Sequence, residues 1–167
     1  VSGAGFAGTP LVVTAGNHER DFRHEEPLLY GDLEEMVGQF CKWPDEVLDV
    51  GALPTMLRRA FRVALTPPQG PVFLGLPQDV MLQEADPSAV EPLGPIPTAG
   101  AGDPDQVAEA ASLLADADEP VFVLGDEVAR AGGDAVDAAV DFAEAAGAAV
   151  YAEILACEVN FPGDHPQ

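Results

Sequence analysis

The chain has 167 residues, 47% of them hydrophobic, with 29 acidic against 7 basic side chains and a formal charge of −22. That length and composition suit a globular protein with a sizeable core, as one domain or parts of two. The charge disfavours nucleic acid and anionic membranes as partners, because both need clustered Lys and Arg, and Lys42 is the only lysine.

The acids are spread over every segment. This reads as a general acidic surface suited to high salt, in preference to a patch for one basic partner. The chain opens VSGAGFAGTP, with no initiator Met, no charged n-region and no h-region, so no secretion signal is read there. Its start close to a strand suggests a chain that begins partway through a larger fold. GAGFAG, with Gly3, Gly5 and Gly8, matches G-x-G-x-x-G, but a dinucleotide site needs a strand before it and a helix after it. Here nothing precedes it and a strand follows, so a phosphate role is not favoured.

PLVVTAG reads as a buried strand over 11–16. It runs into GNHERDFRHEEPLLYGD (16–32), a polar loop dense in histidine, arginine and acid. His18-Glu19 begins like H-E-x-x-H, but Phe22 stands where the second histidine would be, and His24-Glu25 lacks a third ligand. Metal binding needs convergent ligands, so no metal site is assigned. General acid/base work stays open, because α/β folds place ligands at loops on the carboxyl ends of parallel strands. DLEEMVGQF (32–40) is a predicted helix with Asp32 as N-cap. LPTMLRRAFRVAL (53–65) is another, with Leu53, Leu57, Phe61 and Leu65 at i, i+4, i+8 and i+12. TPPQG closes it, and GPVFLGLPQDV (70–80) follows as a buried strand.

Residues 83–103 are rich in Pro, Gly and Ala without periodicity and read as a linker. A second unit follows: a helix over 103–117 with Asp103 as N-cap and Pro104 at its first position, a strand PVFVLG (120–125), a helix over 134–147 ended by Gly147, and a strand AAVYAEI (148–154). The expected architecture is α/β, two partial three-layer parallel-sheet units of Rossmann or flavodoxin type joined by a Pro/Gly-rich linker. VLGDEVARAGGDAV (123–136) is a βα turn that could cradle an anion. The alternative is an ordinary loop, with Asp126 and Glu127 repelling phosphate, and that is the favoured reading. Cys41 and Cys157 match no zinc or redox spacing, which makes a reduced, cytoplasmic protein the default. No apolar run is long enough to span a bilayer. No nucleophile elbow, P-loop or triad-like pattern occurs.

Taken in order, PLVVTAGNHERDFRHEEPLLYGDLEEMVGQFCKWPDEV, LPTMLRRAFRVALTPPQGPVFLGLPQDV and PVFVLGDEVARAGGDAV…FAEAAGAAVYAEILACEVNFPGDHPQ resemble thiamine diphosphate-dependent 2-oxo acid enzymes of the benzoylformate decarboxylase and acetolactate synthase branch. The resemblance implies that residues 1–82 are the C-terminal part of a pyrimidine-binding domain and 104–167 the start of a central domain. In that family the cofactor carries the chemistry: its ylid adds to a 2-oxo acid and stabilises the carbanion left when CO₂ departs. The family's activating glutamate lies upstream of these segments, and its G-D-G…N motif for Mg²⁺ and diphosphate lies downstream. The chain is therefore expected to carry no catalytic residue and to be inactive alone. The resemblance also places Leu28 and Leu29 against the substrate, where the pyruvate-specific branch has a His-His pair, and so implies an apolar wall for a bulkier or aromatic 2-oxo acid. The other reading is that these leucines anchor the loop to the core. FAD binds the central domain in the synthase branch; the acids at 126 and 127 argue against it here. A partial sheet exposes edges, so a homo-oligomer, dimer or tetramer, is expected. The reading from a different class is a non-catalytic α/β module that binds a nucleotide or a subunit.

Overall fold

The computed structural model describes residues 1–92, 94–96 and 100–167. The chain is α/β and forms two compact units, Val1–Thr98 and Ala99–Gln167.

The first unit is built on three parallel strands, β1 (Leu11–Asn17), β2 (Trp43–Glu46) and β3 (Pro71–Pro77), in the spatial order β1-β3-β2. Leu11 pairs with Pro71 and Asn17 with Pro77 on one side of β3, and Trp43 pairs with Val72 and Glu46 with Gly75 on the other. Helix α1 (Ser2–Phe6) precedes the sheet, α2 (Leu33–Gly38) links β1 to β2, and α3 (Leu53–Leu65) links β2 to β3. The two crossovers run in opposite directions along the sheet, so right-handed connections place α2 and α3 on opposite faces. A central strand covered on both sides should be apolar at every position, and β3, PVFLGLP, is buried at all but one.

The core lies between β3 and α3. Val72 and Leu74 are fully buried against Ala60 and Ala64, with Met56, Leu57 and Val63 packed around them. Small residues at 60 and 64 let the helix approach the sheet closely. The expected stripe of Leu53, Leu57, Phe61 and Leu65 is corrected by this: i+4 steps drift around the helix, and Phe61 ends up 44% exposed. Lys42 donates to the carbonyls of Val63 and Thr66 at the end of α3, and Arg59 lies 4.4 Å over the Trp43 ring. The Lys-Trp pair thus ties β2 to α3.

Three further expectations change. LVVTAG is a strand, but an edge one, and none of its residues is buried. The 70–80 strand stops at Pro77, and Gln78–Met81 forms the short helix α4. Strand β2 has no signal in the sequence, because Pro44, Asp45 and Glu46 are poor strand formers; proline is tolerated there because β2 is an edge. In the 83–103 segment, Asp86 caps a 3-10 turn over Pro87–Ala89, while residues 93 and 97–99 lie outside the described ones.

In the second unit, β4 (Val121–Leu124) and β5 (Ala149–Ala152) pair in parallel. Helix α5 (Pro104–Ala115) starts at Asp103, whose Oδ1 accepts the Asp105 N–H, and α7 (Gly133–Ala146) ends at Gly147 in the left-handed region, φ 62°. Phe122 stacks on Phe142 of α7 at 4.8 Å. One face of the pair is thereby packed, while Val121, Val123 and Tyr151, on the other face by alternation, stay exposed. Between β4 and α7 the chain makes an extra helical turn, α6 (Glu127–Arg130).

Asp126 organises this end of the unit. Its carboxylate accepts the Cys157 and Glu158 N–H groups and the Asn160 side-chain amide at 2.9–3.0 Å, and faces Arg130 at 3.3 Å. The Asn160 amide, then the Cys157 N–H, hold its pKa below the ordinary 3.8. A carboxylate depressed in the folded state stabilises above the unfolded pKa, and this is lost as pH falls through the folded value. The stability gap between wild type and Asp126→Asn, measured by urea titration, should therefore be constant near neutrality and shrink as pH drops below the ordinary 3.8. A gap that stays constant through the acid range contradicts this role.

Candidate functional site

The carboxyl ends of β1 and β2 bring Asn17 and Glu46 together, and the loop that leaves β1 folds over them. Glu46 is only 9% exposed. Both of its oxygens accept from Arg23, at 2.8 Å each, and Oε2 also takes the Asn17 amide at 2.9 Å. A planar guanidinium matches a carboxylate in this two-pronged way. The neighbouring residue on β3 is Gly75, where a Cβ would lie 3.2 Å from Glu46 Cγ. Glycine there leaves the room Glu46 occupies.

The rest of the loop is fixed by a second arginine and a histidine. Arg20 pairs with Asp79 on α4 at 2.6 Å and donates to the Leu48 carbonyl. The Asp79 carboxyl is held below its usual range by the hydrogen bond from Arg20. Arg23 Nε donates to the His18 carbonyl at 3.0 Å, and His18 Nε2 meets the Leu28 carbonyl at 2.9 Å. His24 pairs with Glu25, its sequence neighbour, with both side chains exposed. The polar loop is thus held to the sheet at several points. Its arginines and His18 are structural fasteners, a role that sequence proximity could not reveal, because their partners lie up to 59 residues away.

Leu28 and Leu29 are 86% and 88% exposed. They do not anchor the loop to the core; the loop holds them out. Beside Tyr30 and Gly31, which follow them, is a cleft of about 90 Å³ between Asn17, Arg23, Asp32, Glu34, Glu46 and Phe73. That is far below the 300–1,000 Å³ typical of small-molecule sites. Burial, and then the negative charges of Asp45, Glu46 and Asp32, push the Glu34 carboxyl in this cleft above its usual range. A larger hollow of about 390 Å³, by Phe6, Phe40, Cys41 and Pro71, lies at the opposite, amino end of the sheet. Burial raises the Cys41 thiol there, which disfavours a reactive thiolate.

No protein-family model matches the chain. The chain is 32% identical over 168 residues to benzoylformate decarboxylase of Pseudomonas aeruginosa, covering 99% of this chain and 31% of that one. Its fold matches, with a TM-score of 0.83 and 37% identity, a Mycobacterium smegmatis protein described as a thiamin diphosphate-dependent enzyme, again over 99% of this chain and 31% of the other. The chain belongs to the thiamine diphosphate-dependent enzyme family. Its relatives there include acetolactate synthases. They also include a thiamine diphosphate-dependent 4-hydroxybenzoylformate decarboxylase of Rhodococcus jostii RHA1, at TM-score 0.83, 30% identity and the same coverage of 99% and 31%. The chain spans about 31% of the length of these relatives.

The residues described do not make a thiamine diphosphate site by themselves. Among them, no group of three or more His, Cys, Asp or Glu side chains could hold a metal ion. The buried polar groups at the carboxyl end of the sheet are paired with each other, and the cleft between them is small. A wider hollow of about 560 Å³ at the same end is bordered by Glu19, Asp21 and Asp79, whose charge opposes a diphosphate, and its Arg20 is already paired with Asp79. In the second unit the turn after β4 carries the Asp126 carboxylate, already engaged by the 157–160 loop. Among the described residues, no helix is long and apolar enough to cross a membrane.

Proposed function

We propose that the chain is part of a thiamine diphosphate-dependent 2-oxo acid decarboxylase or carboligase and contributes the wall of its substrate pocket. In this reading residues 1–82 are the C-terminal part of the pyrimidine-binding domain, 83–103 the linker and 104–167 the start of the central domain. Leu28 and Leu29 meet the side chain of the 2-oxo acid, and their apolar character favours an aromatic or other bulky substrate over pyruvate. The observation that carries this is the exposure of two adjacent leucines at the tip of a loop pinned by two ion pairs. Two adjacent leucines presented together on an ordered loop offer an apolar surface for something to pack against. Relatives that act on benzoylformate and 4-hydroxybenzoylformate support the choice of an aromatic acid.

The activating glutamate and the Mg²⁺–diphosphate motif are supplied from outside these residues, and the complete enzyme is a homo-oligomer, dimer or tetramer. The β4 turn presents a carboxylate rather than free donors, which disfavours FAD there. Purified chain given thiamine diphosphate, Mg²⁺ and benzoylformate is expected to release no CO₂ above the blank. Turnover would overturn the claim that the chain needs the rest of the enzyme. Saturable FAD binding in calorimetry would favour a nucleotide-binding module instead.

A further inference from the structure

Leu29 has a positive φ of 72°, which is costly for a bulky side chain. It sits third in a four-residue turn, Pro27–Tyr30, closed by the Tyr30 N–H on the Pro27 carbonyl at 2.9 Å. Leu28 is not among the residues with positive φ. Negative φ followed by positive φ defines a type II turn, whose third position normally belongs to Gly or Asn. The common type I turn keeps the same closing bond and gives that residue a negative φ, which suits leucine. The two differ by a flip of the central peptide, the one whose oxygen is the Leu28 carbonyl.

That oxygen is the atom His18 holds. A carbonyl only accepts, so His18 Nε2 carries the hydrogen and donates across 2.9 Å. The backbone of His18 is itself held from both sides. Its backbone N–H donates to Asn17 Oδ1, its carbonyl accepts from Arg23 Nε, and both Asn17 and Arg23 are fixed on Glu46. The ring also stands edge-on to Phe22, with centroids 6.4 Å apart.

We propose that His18 is a positioning residue, a latch on the central peptide of the Pro27–Tyr30 turn that keeps Leu29 in the left-handed region and so sets the direction in which Leu28 and Leu29 face the substrate. This rests on the reading of those leucines as the pocket wall. The chain Glu46, Arg23, His18, Leu28 carries the rigidity of the sheet to the loop tip. Without the donor, the turn relaxes to type I and the Leu29 side chain swings to a new direction.

Nuclear Overhauser spectra of the 167-residue chain test the latch. A type II turn gives a strong cross-peak between Leu28 Hα and the Leu29 amide proton, and a type I turn gives one between the two amide protons instead. His18→Phe keeps a ring against Phe22 and removes only the donor; it is expected to exchange the first pattern for the second. His18→Gln keeps an N–H at similar reach and is expected to retain the wild-type pattern. A type II pattern in H18F overturns the latch, as does a type I pattern in H18Q. Either variant decides alone should the other fail to fold. In the full-length enzyme, H18F is expected to raise KM for benzoylformate on the order of tenfold with kcat within about twofold, and H18Q to leave both unchanged. Altered cross-peaks in H18F with an unaltered KM would leave the latch standing and overturn the pocket wall.

Discussion

Replacing Glu46 by alanine should destabilise the first unit by about 3 kcal/mol, the low end of what breaking a buried ion pair costs. The reason is what remains behind. Arg23, with its side chain 19% exposed, keeps its charge without a counterion, and the Asn17 amide loses its acceptor. Glu46→Gln keeps the volume and part of the hydrogen bonding, so a smaller loss of about 1–2 kcal/mol is expected. The double change Glu46→Leu with Arg23→Leu removes both charges together and should recover much of the loss, since no charge is then left buried; the unpaired Asn17 amide keeps the recovery incomplete. Urea titration of the four proteins measures all of this. A loss below about 0.5 kcal/mol for Glu46→Ala would reduce the pair to an ordinary surface contact. Because Arg23 also holds the His18 carbonyl, the same substitution should loosen the loop tip.

This network also marks the boundary of what the sequence makes legible. The elements with strong local signals are present where expected: Asp32 caps α2, Asp103 caps α5, and Gly147 ends α7 in the left-handed region. Each depends on residues a few positions apart. Parallel topology is legible for the same reason, from the alternation of strand and helix. Edge and centre are not, because LVVTAG and PVFLGLP look alike in sequence and only the order β1-β3-β2 decides which is buried. Strand β2 escapes notice because an edge tolerates Trp-Pro-Asp-Glu. The loop shows the limit most clearly. The density of His, Arg and acid leaves acid/base work open in the sequence, yet Glu46 and Asp79, the partners that explain Arg23 and Arg20, sit 23 and 59 residues downstream. The one retrievable signal was an acid at the end of a short segment before a helix, at the carboxyl edge of the sheet. Leu28 and Leu29 came from family resemblance; their chemistry alone would have put them in the core, and the structure leaves them in water.

Leu74→Ala is expected to cost the first unit about 3–4 kcal/mol. Leu74 is fully buried on the central strand and packs on Ala60 and Ala64. Removing it leaves a void that two alanines cannot fill, so the loss combines the transfer free energy with an uncollapsed cavity. Phe61→Ala deletes a larger side chain from α3, yet Phe61 is 44% exposed and should cost under about 1 kcal/mol. The order of these two effects separates the observed packing face of α3 from the one its leucine spacing suggests; a larger loss for Phe61→Ala would restore the latter. The consequence should extend beyond stability. β3 pairs with both β1 and β2, and its register sets Asn17 opposite Pro77 and Glu46 opposite Gly75. Distance between Asn17 and Glu46 is therefore fixed through β3. Loosening the core beneath it should weaken the Asn17–Glu46–Arg23 contacts before the sheet itself opens. Amide exchange in residues 18–30 should then rise in Leu74→Ala at denaturant concentrations where the β3 amides are still protected. Simultaneous loss of protection in loop and strand would mean that the loop follows global unfolding instead of the local state of the strand ends.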